Sequence, residues 1–321
     1  MPGSPPRDIR MIIVDFSQIM IMSIMSLAST IKDEPLNEDM IRHVFLNNIL
    51  TYKNKYSKDF GNEIVIACDG KGYWRKSVFP YYKYKRAESR ADSPLDWEFI
   101  FQCITKLHDE IEEYFPYKVV KIDGCEGDDV ISILVHHFSE TRFLNQDSSD
   151  SGLFEDPEKE CEPILIISAD KDFLQLQMYS HVKQYSPVKR GLISEDNPKL
   201  SRYEKILKGD TGDGIMNVFS DDDTFVVPGK RQTPASAKRL EPLLNHLMNH
   251  GSLPDDTDQY IKDNFKRNKM LIDLYEVSLP DNLKQSIIDR YYEASSAPKS
   301  KVYQYFVKYQ LRNLFSQVNN F

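Results

Sequence analysis

The sequence of 321 residues has little cysteine and little histidine, and neither is spaced as in a zinc site. Its four cysteines, Cys68, Cys103, Cys125 and Cys161, lie far apart without a CxxC pair, and its seven histidines form no HExxH pattern. This usage is typical of a reduced, cytosolic protein and predicts no bound zinc.

Long apolar runs are also missing. Only the N-terminal stretch "MIIVDFSQIMIMSIMSLAS" approaches the ~20 residues that a membrane-spanning helix needs. Arg7 and Arg10 precede it, as in a signal peptide, but Asp15 and Gln18 interrupt the apolar run. We therefore expect neither secretion nor a membrane partner, and residues 1–10, rich in Pro, are interpreted as a flexible tail.

Positive charge is not in excess, since the formal net charge is -8 and the isoelectric point is about 5.5. Binding to a nucleic acid would therefore have to depend on local charge. Apolar residues make up 40% of the chain, which is enough for one large domain or two smaller ones.

Four short runs rich in Ile and Val each lead to an acidic residue and then to a helical pattern: "MIIVD", "EIVIACD", "YKVVKID" and "ILIISAD". Strands alternating with helices predict an α/β fold over residues 11–199, with a mostly parallel central sheet flanked by helices. The acidic stretch 145–162 is interpreted as a surface insert. Residues 200–321 show only helical patterns separated by Pro and Gly, which predicts a helical second domain.

Acidic residues follow these strands at the sheet edge where α/β proteins bind ligands. Each acid could simply cap the next helix, a role that would suit Asp128 or Asp129. Capping alone does not explain a convergence of acids on one edge, because unpaired carboxylates at close range repel one another. Ligands that are all oxygen, without His or Cys, favour Mg²⁺ or Mn²⁺. The converging acids are Asp15, Asp69, Glu126, Asp128, Asp129, Asp170 and Asp172.

So many acids exceed what one Mg²⁺ needs, which predicts two ions of the kind that promote in-line attack on a phosphodiester. The motif "KGDTGDG" at residues 208–214 adds Asp210 and Asp213 from the helical half. An EF-hand is a competing interpretation of this motif, but the acids that a calcium loop needs at its first, third and last positions are absent.

Residues 71–90 are rich in Lys and Arg, in contrast to the negative net charge of the whole chain. Cations can hold phosphates while rings stack on unpaired bases, each stack contributing ~1–3 kcal/mol; alternatively, the stretch is a solvated loop whose rings pack on the core. A second basic patch, ahead of a helix, indicates phosphate binding more weakly. The cations of the first stretch are Lys71, Arg75, Lys76, Lys83, Lys85, Arg86 and Arg90, and those of the second are Lys230, Arg231, Lys238 and Arg239.

The order and spacing of several motifs resemble those of the flap-endonuclease-like 5′ nucleases, in particular the ribonuclease H group of T-even-type bacteriophages. The resemblance extends over nearly the whole chain. The motifs are "IIVDFSQI", "CDGKGYWRK", "PYYKYKR", "CEGDDV", "LIISADKDFLQL", "VKQYSP", "KILKGDTGDG" and "YFVKYQLRNL". The resemblance implies a PIN-like nuclease core and a helical DNA-binding domain with a helix-hairpin-helix-like element, and Gly214 stands where the family commonly has Asn.

The resemblance also implies the roles of individual residues. An arch or bridge at about 71–95 would cover the active site, where Lys83 and Arg86 act as catalytic residues on the scissile phosphate and Tyr82 stacks on a base. The resemblance implies two Mg²⁺ ions, for which Mn²⁺ can substitute. Asp129 and Asp210 would not bind these ions directly but would lie next to the residues that do. The metal ligands would be Asp15, Asp69, Glu126, Asp128, Asp170, Asp172 and Asp213. The residues binding nucleic acid would be Arg75, Lys76, Tyr82, Lys85, Lys230, Arg231, Lys238 and Arg239.

The activity implied is a 5′ to 3′ exonuclease and flap endonuclease that removes RNA primers during DNA replication. Its implied partners are branched or nicked DNA and RNA–DNA duplex, with a sliding clamp and a single-strand-binding protein as candidates. We expect a monomer in the cytoplasm of a phage-infected host cell.

Three other interpretations of the sequence compete with this one. A haloacid-dehalogenase-type phosphohydrolase would need an acid at Ser17, a PIN-type ribonuclease usually lacks the helical half, and an inert DNA-binding scaffold would have lost acids of the cluster.

Overall fold

The computed structural model describes residues 10–31, 35–146 and 162–321. Residues 1–9 of the predicted tail at 1–10 and most of the predicted insert at 145–162 lie outside these ranges. The described residues form one six-stranded sheet of order β3-β2-β1-β4-β5-β6, parallel except for the antiparallel pair β5 and β6. Its strands are β1 Met11–Asp15, β2 Glu63–Cys68, β3 Lys118–Lys121, β4 Ile164–Ile167, β5 Val182–Ser186 and β6 Gly191–Ile193.

Helices cover both faces of this sheet and form the C-terminal part of the chain. In chain order they are α1 Phe16–Thr30, α2 Glu38–Phe60, α3 Arg75–Val78, α4 Lys85–Ala91, α5 Trp97–Tyr114, α6 Gly127–Gln146, α7 Pro198–Lys208, α8 Ala237–His250, α9 Gln259–Ile272, α10 Asp281–Glu293 and α11 Lys299–Lys308, with 3₁₀ helices at Lys171–Met178 and Arg312–Asn320. The predicted fold class, a mostly parallel sheet flanked by helices with a helical C-terminal region, is confirmed.

The central strands are buried on both faces because alternate side chains enter two different hydrophobic cores. In β1, Ile12 and Val14 pack with α1, α2 and α5, whereas Met11 and Ile13 pack with α6. A strand of this kind needs apolar residues at every position, which explains the continuous Ile and Val runs. The N-terminal apolar stretch thus belongs to the core, and no helix among the described residues is long and apolar enough to cross a membrane.

A third hydrophobic core joins the helical region to the basic stretch. Phe79 and Tyr82 pack there with residues of α7, α8 and α9. The chain then returns to the sheet, since Ile287 of α10 lies in the core beside α6 and Tyr305 of α11 lies in the core beside α5. The predicted boundary between two domains at residue 200 stays a prediction. Residues 281–321 pack against the α/β part.

Candidate active site

The acids that follow the parallel strands meet at one edge of the sheet. Strand β1 lies between β2 and β4, so Asp15 stands between the acids that follow those strands, Asp69 and Asp170. Gly127 begins α6 at the same place, and its N–H donates to Asp69 Oδ1 at 2.7 Å. A methyl group on Gly127 would lie 3.6 Å from Asp69 Oδ1 and 4.0 Å from Asp15 Oδ1. The absence of a side chain at this position leaves the space between the two carboxylates open.

Two of the acids at this sheet edge, Asp15 and Asp170, also cap helices. Asp15 Oδ1 accepts from Gln18 N–H at 3.2 Å, and Asp170 Oδ1 accepts from Asp172 N–H at 2.9 Å. Ser168 connects the two, because its Oγ donates to Asp15 Oδ2 at 2.8 Å and accepts from Asp170 N–H at 3.1 Å. These hydrogen bonds therefore fix the positions of both carboxylates at the edge of the sheet.

Asp129 is completely buried and accepts hydrogen bonds from neighbouring residues of the site. Its Oδ2 accepts hydrogen bonds from Glu126 N–H (2.9 Å), Trp74 Nε1–H (3.1 Å) and Arg75 Nη1–H (3.0 Å). Arg75 also donates to Glu126 Oε2 at 2.7 Å and to the carbonyl of Leu271 in α9. This network orients the Glu126 carboxylate and ties it to the helical region.

The segment 209–214 brings the acids of the helical half to the arch. Gly214 has φ of +73°, and a side chain there would lie 3.1 Å from the carbonyl oxygen of Tyr81. Gly adopts this left-handed conformation without steric cost, and the lack of a side chain allows the close approach to Tyr81. Lys83 N–H donates to the carbonyl of Asp213 at 2.8 Å, so the base of the arch and this segment form one backbone contact.

Side-chain cations lie between the acids on this helical side. Lys83 Nζ contacts Glu126 and lies 3.7 Å from Asp213 Oδ2, and Arg86 donates to Asp213. Lys205 of α7 contacts Asp172 and Asp210. Among the described residues, no three or more His, Cys, Asp or Glu side chains are arranged so that they could hold a metal ion together.

Electrostatic repulsion is concentrated on the sheet side. Burial, together with the charges of Asp69 and Asp170, raises the pKa of Asp15 to about 7, against the hydrogen bonds it accepts. Burial and the charge of Asp15 raise the pKa of Asp128 well above its usual range. Removal from water and the charges of Asp213 and Asp210 also raise the pKa of Asp170, despite the opposing charge of Lys205. Carboxylates perturbed by one another are those that a bound cation would stabilise most.

Two residues predicted to touch nucleic acid are buried instead. Arg75 is only 3% exposed because it is held by Glu126 and Asp129. Tyr82 is also 3% exposed, and its hydroxyl donates to Glu126 Oε2 (2.9 Å) and Asp213 Oδ2 (3.2 Å). The prediction that they contact a phosphate or stack on a base is corrected: both orient carboxylates.

The other predicted nucleic-acid residues lie at the surface. Lys76 and Lys85 are exposed on the arch. In the second basic patch Lys230 is occupied by ion pairs with Asp221 and Asp223, and Arg239 lies 3.8 Å from the centre of the Phe219 ring. Arg231 and Lys238 are exposed.

A cavity of about 660 Å³ opens beside Asp69, between α1, α5 and the arch. Trp97, Phe101 and His108 of α5 line it, and Arg86 and Arg90 of the arch stand opposite. Sequence reasoning missed the α5 residues, although the spacing of Trp97 and Phe101 at i and i+4 places them on one helix face. It also missed Lys205, the first residue of the motif "KILKGD", which lies about one helical turn before the segment 209–214.

Comparisons with known proteins show the family of this chain. Residues 10–204 match the family described as "5'-3' exonuclease, N-terminal resolvase-like domain", and residues 197–321 match "T4 RNase H, C terminal". Ribonuclease H of Enterobacteria phage T4 is 33% identical over 316 residues, covering 96% of this chain and 95% of the relative.

Two solved structures of bacteriophage T5 proteins share the fold. The T5 5′-exonuclease with bound zinc ions has a TM-score of 0.58 at 19% identity, covering 88% of this chain and 98% of that chain. The T5 flap endonuclease in a complex with DNA and metal ions has a TM-score of 0.56 at 17% identity, with the same coverage.

Proposed function

The chain belongs to the 5′-3′ exonuclease family that includes ribonuclease H of phage T4, and we propose that it uses two divalent ions to remove RNA primers during DNA replication. Its activity is that of a 5′ nuclease. The substrates proposed are nicked or branched DNA and RNA–DNA duplexes, cut at phosphodiesters near a 5′ end. The observation that carries the proposal is the meeting of Asp15, Asp69, Asp128 and Asp170 at one sheet edge that faces a basic arch.

The residues present fit divalent ions with oxygen ligands. The sheet side offers carboxylates without sulfur or imidazole donors. Burial and, to a smaller degree, the charges of neighbouring acids raise the pKa values of Asp15, Asp128 and Asp170, and a bound cation would stabilise their ionised forms. Asp15, Asp69, Glu126, Asp128 and Asp170 would hold one ion, and Asp172 and Asp213 would contribute to the other. When bound, such a pair of ions stabilises the attacking and leaving oxygens of the phosphodiester.

The protein's own groups would position the substrate. Burial alone would lower the pKa of Lys83, but Glu126 and Asp213 outweigh it and raise the pKa, which keeps the ammonium charged at the site. Lys83 and Arg86, now paired with acids, stand at the arch base where a scissile phosphate would approach. Both would exchange a carboxylate partner for a phosphate oxygen.

The cavity beside Asp69 is the proposed path of the unpaired 5′ strand. Trp97 and Phe101 have ring centres 5.9 Å apart, and Phe101 is 44% exposed. Arg90 Cζ lies 5.4 Å from the centre of the Phe101 ring, so a base would stack on these rings after displacing or joining the Arg90 guanidinium. Arg86 and Arg90 line the same cavity and would neutralise the strand's phosphates.

The decisive experiment uses 5′-end-labelled nicked, flapped and RNA–DNA duplexes, with product length and polarity recorded in Mg²⁺, Mn²⁺ and EDTA. We expect short products from 5′ ends in either metal and none in EDTA. Asp128→Asn should lower the rate ~10²–10³-fold while DNA binding persists. Asp123→Asn is the matched control, because Asp123 lies on the same segment but accepts from Lys71 N–H. Full activity in EDTA or in Asp128→Asn would refute the proposed chemistry.

A further inference from the structure

The two sides of the acidic site differ in what their carboxylates contact. On the sheet side the hydrogen bonds come from neutral groups: Ser168 Oγ and Gln18 N–H for Asp15, Gly127 N–H for Asp69, and Asp172 N–H for Asp170. On the helical side, charged side chains hold the acids. The clearest case is Lys205, which contacts two acids from different segments.

Lys205 joins Asp172 of the 3₁₀ helix that follows β4 to Asp210 of the segment after α7. Its Nζ forms an ion pair with Asp172 and lies 2.9 Å from Asp210 Oδ2, so oxygens of both acids lie around one nitrogen. Burial would raise the pKa of Asp210, but the charge and hydrogen bond of Lys205 outweigh it and lower that pKa. The ammonium therefore neutralises charge at the point where the two segments meet.

The helix carrying Lys205 is fixed, whereas its side chain can move. Arg202 of α7 is buried and forms an ion pair with Asp273, and Ile206 is fully buried. The Lys205 side chain keeps 28% of its surface exposed, and four flexible methylene groups connect Nζ to the backbone. The Nζ group can thus leave the two carboxylates without any movement of α7.

We propose that Lys205 is a built-in cation that holds Asp172 and Asp210 together in the metal-free protein and is displaced when a divalent ion binds on the helical side. This inference rests on the proposed two-ion function. Every acid on the helical side is paired with a side-chain cation: Asp172 and Asp210 with Lys205, and Asp213 with Lys83 and Arg86. Of the proposed ligands on the sheet side, only Glu126 is paired in this way, with Lys83 and Arg75. An ion on the helical side must therefore displace more cations, and we expect the sheet side to fill at lower metal concentration and the helical side second.

The test measures binding of Mn²⁺ to the full-length, substrate-free protein from the paramagnetic resonance signal of free Mn²⁺. Wild type should show one tight and one weak class of site. Lys205→Gln should tighten the weak class about tenfold, equivalent to ~1.4 kcal/mol. It should change the tight class less, because Lys205 acts on Asp170 only through its charge and does not pair with it. Lys208→Gln is the matched control, because Lys208 is exposed on the same helix and pairs with Glu204 at 2.6 Å; it should bind as wild type does.

Thermal unfolding supplies a second readout that a purely structural lysine would not give. In EDTA, Lys205→Gln should melt below wild type because Asp172 and Asp210 lose their shared cation, and saturating Mg²⁺ should close that gap. Lys205→Arg keeps the charge and should resemble wild type in both conditions. An unaltered weak class in Lys205→Gln, or an equal melting deficit with and without Mg²⁺, would overturn the role of Lys205 and leave the two-ion proposal intact. A wild-type protein that binds no divalent ion would refute both.

Discussion

The pKa of Asp15 allows the acidic cluster to be tested through stability instead of activity. Its folded value is about 7 against an ordinary value of 3.8, and each unit corresponds to ~1.4 kcal/mol. The native state therefore binds this proton more tightly than the unfolded chain does. Between pH 4 and pH 7 the native state loses stability as the pH rises, and above pH 7 the full cost, about 4 kcal/mol, is present. Asp15→Asn removes this cost, since the amide carries no charge.

The assay is urea unfolding in EDTA from pH 4.5 to pH 8.5. Asp15→Asn should be more stable than wild type at pH 8.5, and the difference should shrink towards zero at the acidic end. Asp96→Asn is the matched control: Asp96 also caps a helix, accepting from Phe99 N–H at 3.0 Å, but lies outside the cluster. Asn and Asp cap about equally well, so this control should show little change. If Asp15→Asn is destabilised equally at every pH, Asp15 is an ordinary cap, and burial and the neighbouring acids do not raise its pKa.

Three further substitutions test the remaining assignments. Lys83→Ala should lower the turnover rate of a flapped duplex more than its binding affinity, whereas Lys76→Ala on the exposed arch should mainly weaken binding and reduce its salt dependence, both measured by single-turnover kinetics. Arg75→Ala should lower the free energy of unfolding by ~3–5 kcal/mol, because it leaves buried carboxylates unpaired; a change below 1 kcal/mol in urea unfolding would contradict this assignment. Phe101→Ala should slow cleavage of long single-stranded flaps more than of nicked duplex, and equal effects on both would count against the proposed strand path.

Sequence periodicity predicted the sheet well because burial on both faces leaves a strong pattern. The runs that became β1, β2 and β4 are apolar at successive positions, and each is followed by an acid. The β5–β6 hairpin was not predicted from pattern, since Val182–Ser186 contains Lys183 and Gln184 and has no comparable run. Gln184 is nevertheless fully buried, because its amide donates to the carbonyl of Ser168.

The arch shows why residue type alone predicts the basic stretch only in part. A run of cations and aromatic rings indicates nucleic-acid binding, yet Arg75 and Tyr82 turn inward and hold Glu126. The inward direction is set by tertiary partners, namely Leu271 in α9 for Arg75 and the core around α7 for Tyr82. No local pattern within residues 71–90 contains those partners. Both alternatives in the sequence were partly right, because some of the rings do pack on the core.

The charges around the proposed site favour two divalent ions over one. Nine carboxylates face or support the site, and four side-chain cations pair with them, which leaves five negative charges unmatched when every acid is ionised. Two divalent ions supply four positive charges and bring the site close to neutrality, whereas one ion would leave three unmatched. The acids are Asp15, Asp69, Glu126, Asp128, Asp129, Asp170, Asp172, Asp210 and Asp213, and the cations are Arg75, Lys83, Arg86 and Lys205. When a side-chain cation leaves its acid to bind a substrate phosphate, one more carboxylate charge is unmatched. Substrate binding and binding of the second ion should therefore strengthen each other.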